Sequence, residues 1–66
     1  MEIVVNGEGC EVPEGATVLS LLRKLDLPES RVAVERNRGI VRKADYRDTA
    51  LSNGDRIEIV TFVGGG

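Results

Sequence analysis

Histidine is absent from this chain, and cysteine occurs once, as Cys10. Those two shortages exclude a good deal of chemistry. An intramolecular disulfide is impossible, and Cys and His cannot supply a zinc-type cluster, so no metal site is expected. A lone thiol fits a reducing compartment, and a cytoplasmic location is the expectation. Tryptophan is also missing, which leaves Tyr46 and Phe62 as the aromatic residues. The basic stretch of Arg31, Arg36, Arg38, Arg42, Lys43 and Arg47 therefore has only Tyr46 within it as a stacking side chain, which argues against nucleic-acid binding. No apolar run approaches the ~20 residues that span a bilayer. Residues 1–5 lack the basic and apolar regions of a secretory leader, so none is expected. There is no glycine loop followed by lysine to cradle a phosphate, no nucleophilic triad and no histidine base. The chain reads as something acted upon, not as an enzyme.

What is present is enough for one small domain. At 66 residues it buries roughly 60% of the surface its unfolded chain exposes, too little to enclose a deep pocket. Hydrophobic residues make up 41% and charged residues 30%, a folded rather than disordered profile. The net charge of −2 hides an asymmetry: residues 1–30 are acidic and residues 31–66 are basic on balance. Opposed fields of this kind can orient a partner, although a plain solvated surface accounts for them more simply.

Ile3, Val4 and Val5 are β-branched and precede Asn6-Gly7, a dipeptide suited to the positive φ angles of a tight hairpin turn. Glu8-Gly9 extends that loop and Cys10 to Val12 resumes an extended segment, so residues 2–12 read as a hairpin. Cys10 is expected to be a half-buried strand residue without a sulfur-handling role, since Glu8 and Glu11 beside it would disfavour a thiolate. Thr17 stands where an N-cap belongs. Val18, Leu21, Leu22 and Leu25 then recur at helical spacing, which predicts a helix over about 18–26 with Pro28 as its stop. Val32 to Arg36 alternates as a strand, Asn37-Arg38-Gly39 reads as a turn, and Ile40-Val41 begins another short strand. Residues 44–48 form a polar connection with room for one helical turn, anchored by Tyr46, and Leu51 is placed to pack inward. Ser52-Asn53-Gly54-Asp55 is a further turn cluster. The longest strand signal follows, Arg56 to Val63, with Ile57, Ile59, Thr61 and Val63 on one face and Val60 and Phe62 on the other. One amphipathic helix and four to five strands make an α+β layer, a mixed sheet packed on one helix.

The chain closes on Gly64-Gly65-Gly66, directly after that strand. Glycine does not stabilise a strand, and it has no side chain. Three extended residues reach ~10 Å, so a flexible tail over 64–66 could thread a narrow channel and present its carboxylate to another protein's active site. A carboxylate must be activated before a nucleophile can replace its oxygen, and nothing in this chain performs the activation. The same glycines would also suit a frayed end. The lack of a polar linker after Val63 favours the functional reading.

Taken in order, these segments resemble the ThiS family of thiamine-pathway sulfur carriers. The likeness lies in the Met-x-Ile-x-x-Asn-Gly opening and in the Gly15-x-Thr17-Val18 step into a leucine-rich helix. It continues through Val34-Glu35-Arg36-Asn37, Ile40-Val41, Asn53-Gly54-Asp55-x-Ile57-Glu58-Ile59-Val60 and the closing Phe62-Val63-Gly64-Gly65-Gly66. It spans essentially the whole chain, and no clear departure from the family pattern is visible. The resemblance implies a ubiquitin-like β-grasp domain over 1–63, its first and last strands parallel and central. It implies that a ubiquitin-activating-like adenylyltransferase uses ATP to adenylate Gly66, with no cofactor bound to the chain itself. A sulfur donor such as a cysteine desulfurase would then supply the sulfur of a thiocarboxylate, and a thiazole synthase would take it into thiamine. Gly66 would carry the reactive group, with Gly65 and Gly64 completing the tail. By alternation rather than by the resemblance, Val60 and Phe62 share a face just before the tail and, with Val63 next to them, would form a partner-binding patch if the helix leaves that face open; if the helix covers it, the pair is core.

Other destinations fit the same tail. A related carrier could serve molybdopterin, tRNA thiolation or amino-acid synthesis. A ubiquitin-like modifier would join its terminus to lysines, and an interaction module of this fold would not use its terminus at all.

Overall fold

The computed structural model describes residues 1–62; Val63 and the Gly64–Gly66 tail lie outside the described residues. Strand β1 (Glu2–Val5) turns back through Asn6 and Gly7, at φ 50° and 85°, into β2 (Glu8–Glu11). Val5 pairs directly with Glu8. The turn is thus a two-residue one, and Glu8-Gly9 belongs to the strand rather than to an extended loop. Positive φ at both positions matches the twist of the flanking strands, which is why Asn-Gly serves there.

Helix α1 (Val18–Lys24) starts at a capping box. The Ser20 amide donates to Thr17 Oγ1 at 3.1 Å, and the Thr17 amide donates to Ser20 Oγ at 2.8 Å. The helix is shorter than the expected 18–26. Leu25 leaves helical geometry and Asp26 takes φ 60°. The Asp26 amide then donates to the Arg23 carbonyl and the Leu27 amide to the Leu22 carbonyl. These are the two bonds of a Schellman ending, here built on aspartate. The chain stops its own helix before Pro28 is reached.

A 3₁₀ turn at Glu29–Arg31, absent from the sequence reading, leads into β3 (Val32–Arg36). A second two-residue turn, Asn37-Arg38 at φ 51° and 73°, joins it to β4 (Gly39–Val41), so Gly39 opens the strand rather than closing the turn. Another 3₁₀ turn, Lys43–Asp45, delivers Tyr46 into the interior, where its hydroxyl donates to the Val32 carbonyl at 3.2 Å. Strand β5 (Arg56–Thr61) completes a five-stranded sheet in the order β2-β1-β5-β3-β4. β5 runs parallel to β1 and antiparallel to β3. The first and last strands are therefore neighbours, with β5 central.

The core forms between α1 and one face of this sheet. Ile3, Val34, Ile57 and Ile59 come from the strands, Val18, Leu21 and Leu22 from the helix, with Tyr46 and Leu51 closing the side. Each fully buried aliphatic side chain stabilises the fold by roughly 1.5–3 kcal/mol of transfer energy. Among the described residues no helix lies on the opposite face of the sheet. Among the described residues no helix is long and apolar enough to cross a membrane.

Candidate functional site

Along β5 the burial alternates until the strand ends. Ile57 and Ile59 are buried against α1, whereas Val60 is 58% exposed and Phe62 60% exposed. The period of two sends these last two to the uncovered face. Val60 pairs with Ala33 and Glu58 with Glu35 across β3, and Glu35 pairs in turn with Ile40 of β4. Ile40 is 81% exposed. The open face thus carries the apolar pair Val60 and Phe62 on β5 and, apart from it on β4, Ile40, with Glu58 and Glu35 between. Val60 and Phe62 are not core residues. Ile40 was absent from the sequence-derived patch. Its strand is only three residues long, too short for alternation to assign a face.

The exit of β5 is held from both edges. On the β3 side, the Phe62 amide donates to the Arg31 carbonyl at 2.8 Å, one step past the last paired strand residue. On the β1 side, the Asn6 carboxamide does the work of a strand residue. Its Oδ1 accepts from the Ile59 amide at 2.7 Å and its Nδ2 donates to the Ile59 carbonyl at 3.1 Å.

The entry of β5 is built differently. Asp55 is 6% exposed, and its carboxylate accepts from Arg36 Nε at 2.8 Å, Asn37 Nδ2 at 3.0 Å and the Ser52 amide at 2.8 Å. Burial pushes its pKa up, but the bonds from Arg36, Asn37 and Ser52, with the charge of Arg36, outweigh it, so the carboxyl sits below its ordinary value. Burial likewise raises the Tyr46 phenol above its usual range. Cys10, half-buried on β2, pairs with Ile3 across the hairpin. Among the described residues no group of three or more Cys, Asp or Glu is placed to hold a metal ion.

A helix crossing one face of a mixed sheet whose first and last strands lie side by side defines a β-grasp domain. Comparison with known proteins places it more narrowly. The ThiS family model matches residues 2–66, and the chain belongs to that family. It is 46% identical to the sulfur carrier protein ThiS of Bacillus subtilis over 50 residues, 76% of each chain. It is also 46% identical over its whole length to a thiazole synthase of Paramagnetospirillum magneticum, and 41% identical to one of Magnetococcus marinus. The chain spans 20% of the length of those two relatives. Among solved structures, the crystal structure of a thiamine biosynthesis protein, ThiS, from Geobacter metallireducens superposes with a TM-score of 0.84 at 32% identity, covering all of both chains.

Proposed function

We propose that this chain is a sulfur carrier for thiazole formation in thiamine biosynthesis, and that Gly66 is the loaded residue. The observation that carries the reading is the end of β5: a strand held on the β1 side as far as Ile59 and on the β3 side as far as Phe62, an exposed Val60–Phe62 face, and four further residues ending in three glycines. Family membership across the whole chain supports it. The relatives in which a segment similar to all 66 residues belongs to a longer thiazole synthase support that enzyme as the recipient.

The chemistry runs through partners. An adenylating enzyme joins the Gly66 carboxylate to ATP, releasing pyrophosphate and leaving an acyl adenylate. The terminal sulfur of a persulfide, generated by a donor such as a cysteine desulfurase, attacks the acyl carbon and expels AMP. A thiol then reduces the resulting sulfur–sulfur bond and frees the thiocarboxylate. The thiazole synthase receives the tail and takes the sulfur. Val60 and Phe62, both exposed, provide the docking surface beside the tail together with Val63, which lies outside the described residues; exposed apolar side chains grouped in this way mark partner sites.

The test is an intact mass. Incubation with ATP, the adenylating enzyme and a sulfur source should raise the protein's mass by about 16 Da, one oxygen exchanged for sulfur. No gain overturns the reading. A gain that thiazole synthase does not consume places the sulfur in a different acceptor, and mass-shifted protein conjugates would make the chain a modifier instead.

A further inference from the structure

The two hairpins that flank β5 share a device. Each turns through two residues, and in each the first is an asparagine with φ near +50°, Asn6 between β1 and β2 and Asn37 between β3 and β4. Both side chains reach across to β5. Asn37 Oδ1 accepts from the Arg56 amide at 2.9 Å while its Nδ2 donates to Asp55, so it grips the start of the strand. Asn6 grips Ile59, close to the end.

The Asn6 grip matters because of where β1 stops. At the two ends of the short β1–β5 ladder, main-chain bonds run from the Val4 amide to the Asp55 carbonyl and from the Asn6 amide to the Ile57 carbonyl. Beyond that the hairpin turns away. A primary amide offers a donor and an acceptor side by side, as a peptide unit does, and so it extends the ladder by one step. Past Ile59 no described residue pairs with β5 on this edge, and the segment continues on β3 alone, through Thr61 opposite Val32 and Phe62 bonded to Arg31. Take the carboxamide away and Ile59 also loses its partner on this edge, so that all of residues 59–62 hang from β3 alone and swing more freely about it. The turn itself does not need the amide, because glycine takes the same positive φ without cost.

We propose that Asn6 is a positioning residue, which aims the last residues of β5, and hence the tail, at the partner's active site. The proposal rests on the sulfur-carrier reading for its kinetic consequence but not for its structural one.

The test compares Asn6→Gly with Asn37→Gly, a control that loosens the other end of the same strand. Residual dipolar couplings of the backbone amides report orientation directly. In Asn6→Gly the couplings of Val60, Thr61 and Phe62 should shrink while those of β1 and β3 hold; in Asn37→Gly they should stay as in the unaltered chain. In thiocarboxylate formation well below the melting temperature, Asn6→Gly should lower kcat by about 10–100-fold, the scale of a small misplacement of a reacting group, with KM within about twofold. Asn37→Gly should keep its kcat. Unchanged couplings in a folded Asn6→Gly protein overturn the proposal, as does an unaltered kcat or an equal loss in both variants. If the unaltered chain is not loaded at all, the sulfur-carrier reading and the aim at a partner fall together, whatever the couplings show.

Discussion

Asp55, just ahead of β5, is buried and accepts three hydrogen bonds, whereas Phe62, just past its end, is 60% exposed and is tied by one backbone bond to Arg31. One strand thus serves two purposes. Its first half is part of the core and closes the sheet around Ile57 and Ile59. Its second half keeps strand geometry but leaves the core, and the apolar side chains there face solvent at a net cost unless a partner covers them. The contrast separates residues whose loss should unfold the domain from residues whose loss should disable it while it remains folded.

The sharpest way to break that contrast is at the tail. Deleting Gly65 and Gly66 should abolish sulfur loading and leave the far-ultraviolet circular dichroism spectrum and melting temperature as they were. Loading that persisted in the shortened chain would remove the chemical role from the terminus. The opposite outcome is expected in the core half of β5. Ile57→Ala should destabilise by about 2–5 kcal/mol, the range for truncating a buried isoleucine. In a domain this small that is a large share of the total. Val60→Ala, on the exposed face of the same strand, should stay within about 0.5 kcal/mol. Urea titrations of the two variants measure the difference, and equal losses would mean that the open face is part of the core in solution.

Asp55 sets the next step down. Its pKa is depressed in the folded state, so its contribution is fully present above the ordinary aspartate value of about 3.9 and is lost as pH falls from there through the lower folded value. Asp55→Asn should cost about 1–3 kcal/mol at neutral pH, the scale of hydrogen bonds to a charged group. The Arg36 side chain is partly exposed, so solvent screening trims the ion-pair share of this. The variant should also flatten the fall in stability below pH 4. Chemical melts across that window check both, and an unchanged acid limb would assign the acid sensitivity to other carboxylates.

Much of this architecture was legible because it is local. Alternation marked a strand from Arg56, expected to run to Val63 and observed through Thr61, Asn6-Gly7 marked the first turn, and Thr17 marked the start of the helix. The helix end was misplaced because aspartate, not glycine, occupies its left-handed closing position, and Asp26 carries no signal strong enough to announce it. The first hairpin seemed longer than it is because Gly9 looks like a loop residue. The grips on β5 were out of reach for a different reason. Asp55 lies 19 residues from Arg36, and Asn6 lies 53 from Ile59, so neither contact leaves a local pattern. As for the candidate site, alternation put Val60 and Phe62 on a common face but could not say which face the helix covers. That is a property of the assembled layers. The glycines were visible at once, because their meaning lies in what they lack.

Phe62→Asp probes the boundary between the two halves. The side chain is exposed, and a carboxylate at its position remains hydrated, so folding stability should change by no more than about 0.5 kcal/mol. Docking should suffer more. An aromatic anchor removed from an apolar patch typically costs over 1 kcal/mol, and a charge placed there must be desolvated when the partner closes over it. Affinity for the adenylating enzyme should fall about tenfold, equivalent to roughly 1.4 kcal/mol, read as a raised KM or by calorimetry. A saturating amount of the variant should still be loaded at near the normal rate, because Gly66 and the Asn6 grip are untouched. A variant that melted well below the parent would put Phe62 back in the core; one that bound as tightly as the parent would move the docking surface elsewhere, with Ile40 the next exposed apolar side chain on the same face to test.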